Sequence, residues 1–129
     1  MSDPRLAVGQ KLDALADMLS RRDAGVIDFL WGDGRFVLVG SEAGEIFRNR
    51  ADLASHLGHL LGSPATFHFD FPDKQVEIVG SVGWIFAAGT LRRREPGKPD
   101  ATMPYLVSCI FENVDGDWRW RQFFGSEPA

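Results

Sequence analysis

The chain has 129 residues, of which 44% are apolar and 25% charged, enough for one globular domain with a buried core. Fourteen Lys plus Arg against eighteen Asp plus Glu leave a net charge of −4, which excludes broad binding to a phosphate backbone, so no nucleic-acid partner is expected. A single cysteine, Cys109, excludes an internal disulfide and a Cys-rich metal site; no apolar run approaches the ~20 residues of a membrane span, and Met1 to Arg5 lack an export-signal pattern, so a cytoplasmic protein without a membrane partner is expected.

Asp3-Pro4 reads as a helix N-cap with proline at the first helical position. Val8, Leu12, Leu15 and Leu19 recur along one face behind it, and Arg21-Arg22 fall in the last turn. Asp23 can cap a second, short helix carrying Ile27, Leu30 and Trp31, which Gly32-Asp33-Gly34 breaks. Arg35 to Val39 is a short strand, Gly40 to Gly44 a polar turn, and Glu45-Ile46-Phe47 a second short strand. Asn49, with Asp52 three residues on, caps a third helix whose buried face is Leu53, Leu57 and Leu60; Gly62 and Pro64 end it.

The period then changes to two. Phe67, Phe69 and Phe71 alternate with His68 and Asp70, and Val76 and Ile78 continue as strand to Gly80. Ser81 to Leu91 is a long strand, and Arg92 to Asp100 is a polar connection. Tyr105 to Val114 is another strand, Asp115-Gly116 a tight turn, and Trp118 to Phe124 pairs back. The order predicts a single α+β domain over residues 1–129, with three helices in the N-terminal half laid on one face of a curved, mostly antiparallel sheet. Eleven of the fifteen aromatic residues lie between Phe67 and Phe124, so the sheet carries most of the rings.

This order and three stretches resemble the SnoaL-like proteins of the nuclear transport factor 2-like superfamily. The stretches are Asp115-Gly116-Asp117-Trp118 through Ser126-Glu127-Pro128, similar to the family's closing strand; Val37 to Gly40 with Gly44 to Arg50, similar to its Gly-Glu and helix-start segment; and Val82 to Phe86, similar to its central strand. The resemblance implies a cone-shaped α+β barrel (a cystatin-like fold) with a pocket between helices and sheet, and a homodimer formed through the outer sheet face. It also implies relatives of two kinds, ligand binders and cofactor-free enzymes of the isomerase, dehydratase or cyclase type. Phe124 stands where many relatives carry a His, a position that here offers no acid or base.

Strict alternation puts Trp118, Trp120, Gln122 and Phe124 on one face and Arg119, Arg121 and Phe123 on the other. In a cone fold, Trp84, Phe86, Trp120 and Phe124 are then expected to wall an apolar pocket, with Gln122 as a polar group inside it and Trp31 as a further contact. Arg119, Arg121 and Phe123 are expected to face a partner subunit. The alternative is a core filled by these rings, with no usable cavity. Three residues are candidate acid-base groups: Glu45 by its match to the Gly-Glu segment, His56 at the edge of the third helix's apolar face, and Tyr105, the only tyrosine. Arg48 and Arg50 are close enough in sequence to offer Glu45 an ion pair instead, and Tyr105 has the alternative of a hydroxyl in water. His56 and His59 form an H-x-x-H pair without a third ligand, so no metal is expected, and no cofactor. His68 and Asp70 face solvent if the phenylalanine face turns inward, and form an acid-base pair inside the pocket if the strand is reversed. The expected ligand is a small apolar molecule.

Overall fold

A computed structural model describes residues 3–128. Helix α1 (Pro4–Ser20) starts where Asp3 accepts a hydrogen bond from the Arg5 amide at 2.9 Å, with proline at the first position. Val8, Leu12 and Leu15 are buried along its inner face. Arg21 caps the helix and Arg22, at φ 55°, lies beyond it, so neither cation occupies the last turn. Arg22 instead donates to the carbonyls of Pro64 at 3.3 Å and Ala65 at 3.1 Å, tying the end of α1 to the segment that leaves the third helix.

Helix α2 (Val26–Trp31) begins at Gly25, whose amide donates to the Asp23 carboxylate. Two short strands follow, β1 (Val37–Val39) and β2 (Ile46–Phe47), each shorter than the sequence reading. Helix α3 (Arg50–Gly62) is capped by the Asn49 side chain, which accepts from the Asp52 amide at 2.9 Å. The long strands β3 (Thr66–Val79), β4 (Val82–Arg94), β5 (Ala101–Val114) and β6 (Asp117–Ser126) complete a six-stranded sheet in the order β2-β1-β6-β5-β4-β3. All neighbours are antiparallel except β1 and β6. Arg92 to Arg94 belong to β4 rather than to the connection, because Arg92 pairs with His68 and with Thr102, and β5 begins at Ala101, ahead of Tyr105.

Two bulges set which side chains face inward. In β3 the register shifts between Asp70 and Asp73, where two residues stand opposite Gly89. Inward positions therefore pass from Phe67, Phe69 and Phe71 to Lys74, Val76 and Ile78. A side chain at Gly89 would run into the Asp70 carbonyl, so the bulge requires glycine there. In β6 the shift between Ile110 and Phe111 leaves Arg121 as the extra residue. Trp118 and Trp120 point inward before it, and Phe123 and Gly125 after it. The freed Arg121 forks onto Asp33 at 2.8 and 3.0 Å, and Arg119 adds a third contact at 2.9 Å. The Arg121 guanidinium, with Arg119 beside it, holds the Asp33 carboxyl well below the usual carboxylate range.

The core lies between α1, α2, α3 and the inner sheet face, with Phe111, Leu12, Leu30, Leu53 and Ile85 fully buried. Gly83 lets α1 come close: a Cβ there would sit 2.8 Å from Ile78 and 3.4 Å from Val8. Among the described residues, no helix is long and apolar enough to cross a membrane.

Candidate active site

Further along the inner face, the helices and sheet diverge and leave a cavity of about 560 Å³. Leu15 and Leu19 of α1, Leu57 and Leu60 of α3, and Phe67, Phe69, Leu91 and Met103 of the sheet give it an apolar wall. Its polar groups come from the turn between β1 and β2 (Ser41, Glu42, Glu45), from His56 on α3, from Tyr105 on β5 and from Glu127 after β6; Arg93 lines it from β4.

Glu45, His56 and Tyr105 thus share this one cavity. Glu45 Oε1 accepts from the Glu42 amide at 2.9 Å, and its Oε2 lies 3.8 Å from His56 Nε2. Arg50 is engaged elsewhere, with Asp28 at 2.8 Å, so it does not pair with Glu45. His56 is half-buried and stacks on Phe47 with ring centroids 4.3 Å apart. Burial pushes its pKa down and outweighs the opposing pull of Glu45, so the ring is neutral at neutral pH. Tyr105 is buried rather than hydrated, and its ring meets Phe69 edge-on at 5.0 Å. Desolvation pushes its pKa up to about 12, against a hydrogen bond with Ser41, so the phenol stays protonated. The cavity therefore joins a proton acceptor, a carboxylate and a hydrogen-bond donor within an apolar surround.

Two glycines make room for these groups. A Cβ at Gly40 would fall 2.5 Å from Glu45 Oε1, and one at Gly125 would overlap the Tyr105 hydroxyl. Each polar side chain occupies space that its neighbour leaves free.

The expected aromatic wall lies elsewhere. Trp84, Phe86 and Phe124 are 39%, 44% and 44% exposed on the outer face of the sheet. Gln122 lies beside them, paired with Ile110. Trp120 does point inward, but it is packed against Phe111 at 4.4 Å and Phe29 at 5.9 Å, away from the cavity. Trp31 closes α2 and covers the turn at Gly34, also away from the cavity. The cause in β6 is the bulge at Arg121, which reverses the alternation between Trp120 and Phe124. In β4 the cause is the phase of the strand: Gly83, Ile85, Ala87 and Leu91 take the inward positions, so Trp84 and Phe86 between them point outward. Phe123 lines the cavity instead of facing outward with Arg119 and Arg121. His59 and Asp70 are exposed, His68 is half-buried, and Cys109 is a buried thiol whose pKa burial pushes up.

Sequence reasoning missed Ser41, Glu42, Arg93 and Glu127. The first two sit in a turn and the last beyond the final strand, so no periodicity marks them. Arg93 had the strand pattern as a signal, hidden by the basic run around it.

Residues 8–129 match the sequence profile of the SnoaL-like domain, and the chain belongs to that family. Solved structures agree on the nuclear transport factor 2-like, cystatin-like fold. A candidate dehydratase of the nuclear transport factor 2-like family from Streptomyces avermitilis superposes with a TM-score of 0.84 at 13% identity, covering 96% of each chain. A ketosteroid isomerase-like protein from Erwinia carotovora atroseptica gives 0.78 at 12% identity, over 100% of this chain and 99% of the other. A nuclear transport factor 2-like protein with a cystatin-like fold from Novosphingobium aromaticivorans gives 0.75 at 12% identity, over 95% and 80%. At these identities the likeness is one of fold. No curated protein matches the sequence.

Proposed function

We propose that this protein binds a small, largely apolar molecule in the cavity, with the ligand's polar end against Glu45, His56 and Tyr105. The observation that carries this is a cavity of about 560 Å³ with apolar walls and polar groups gathered from separate elements. Titration calorimetry with neutral aromatic alcohols of graded ring number tests it. Binding is expected, and Leu60→Trp, which fills the cavity from its half-buried edge, is expected to weaken it about tenfold or more while circular dichroism stays unchanged. Absence of binding, or binding indifferent to the tryptophan, overturns the proposal.

A second reading adds proton transfer, favoured by the neutral His56 beside Glu45 and the protonated Tyr105. In it, His56 takes a proton from the substrate, Glu45 balances the imidazolium, and Tyr105 donates to the oxygen on which charge develops. This is isomerase, dehydratase or cyclase chemistry needing no cofactor. Loss of turnover in His56→Gln and Tyr105→Phe, with ligand affinity kept, is the expected result; turnover unaffected by both argues for binding alone.

The outer face supports a homodimer. Phe86, Ser108 and Phe124 form one row across three strands, and Trp84, Ile110 and Gln122 form the next, a patch of exposed rings that a second copy would cover.

A further inference from the structure

The charges around the cavity are unevenly placed, and this asymmetry specifies a ligand class if the cavity is a ligand site, as proposed above. Glu42, Glu45 and Glu127 line it together with Ser41 and the Tyr105 hydroxyl. Ser41 donates its hydroxyl to Glu127 at 3.2 Å, and the coulombic influence of both Glu127 and Glu45 reaches Tyr105. The cations on the cavity wall do not offset these carboxylates. His56 is held neutral by burial. Arg93 lies four residues along β4 from Gly89, the partner of Tyr105, or about 13 Å at the usual strand rise. Its guanidinium is engaged at 3.1 Å by Glu95, which also takes Lys98 at 3.1 Å.

Glu45 is moreover set in place before any ligand arrives. The Glu42 amide holds one oxygen, the missing side chain at Gly40 gives the carboxylate its space, and the second oxygen, 3.8 Å from His56, makes no hydrogen bond among the described residues. Phe69, Phe123 and Tyr105 bring rings to the same cavity, and ring faces attract cations. In a partly enclosed space of reduced dielectric, carboxylates without a cation repel an anionic head group and favour a cationic one.

We infer that the cavity accepts a hydrophobic amine: an apolar ring system carrying one protonated nitrogen, which sits between Glu45 and Glu127 against the aromatic wall. The probes are three molecules with the same naphthyl ring, namely naphthyl-ethylamine, naphthyl-ethanol and naphthyl-acetate, titrated calorimetrically at neutral pH. The amine is expected to bind about tenfold tighter than the alcohol, and the carboxylate more weakly than either. Glu45→Gln is expected to remove most of the amine's advantage, bringing the ratio of amine to alcohol affinity close to one; Glu127→Gln, at an exposed position, serves as the second variant should Glu45→Gln fold poorly. Alcohol binding with no preference for the amine, or a preference that survives both variants, overturns the inference and leaves the cavity as a ligand site. Binding of none of the three overturns both.

Discussion

The two faces of strand β4 are opposites of what side-chain size suggests. Its inner face carries Gly83, Ile85, Ala87, Gly89 and Leu91, and its outer face carries Trp84 and Phe86. Large rings ordinarily go inside, but here the inward phase of the strand falls on Gly83, Ile85, Ala87 and Leu91, and the rings that alternate with them point to the outer face. The inner face supplies the folding energy and, where the helices stand off from the sheet, the cavity. The outer face supplies an apolar surface suited to association.

Paired truncations give the sharpest way to break this contrast. Phe111→Ala, on the inner face and fully buried, is expected to cost about 3–5 kcal/mol in urea unfolding. Phe86→Ala, on the outer face, is expected to change the unfolding free energy of the monomer by less than about 1 kcal/mol, yet to shift sedimentation towards the monomer. Equal stability losses from the two would remove the distinction between faces. A monomeric wild type at micromolar concentration would remove the proposed dimer.

Gly89→Ala tests the bulge that lets β3 present both its phenylalanines and its later apolar residues inward. The added methyl meets the Asp70 carbonyl, so a loss of about 1–3 kcal/mol is expected by thermal unfolding. A neutral outcome would mean that the strand pair relaxes freely at this point.

Smaller effects come from the titratable groups of the cavity. His56 has a folded pKa below its ordinary 6.5, so the unfolded chain binds the extra proton first; stability is expected to fall as pH drops below about 6.5. His56→Gln should flatten that part of the profile of urea midpoint against pH. Tyr105 has a folded pKa near 12 instead of 10, so the folded state loses stability as pH rises above about 10. Because it is the only tyrosine, phenolate absorbance reports it alone, and a midpoint near 10 would place its hydroxyl in water.

Much of the fold was legible in the sequence because its signals are local. The Asp3 and Asn49 caps, the Leu53 and Leu57 face of α3, and the tight turn at Asp115-Gly116 each depend on residues within a few positions of one another. Glu45, His56 and Tyr105 were legible as candidates by residue type and by resemblance, and all three line the cavity. The pocket wall was not, because strict alternation assumes an unbroken pleat. One inserted residue at Arg121 moved Gln122 and Phe124 to the outside and Phe123 to the inside.

The aromatic excess in the second half of the chain was therefore a property of the sequence, as were the element order and the acidic balance. Which rings would be core, which cavity wall and which outer surface was decided by tertiary structure. The phase of β4 against the core and the two bulges set those assignments, and both depend on contacts between segments distant in sequence. The acidic lining of the cavity has the same origin: Glu42, Glu45 and Glu127 are drawn from both ends of the sheet's connectivity, and only the parallel pairing of β1 with β6 brings those ends together.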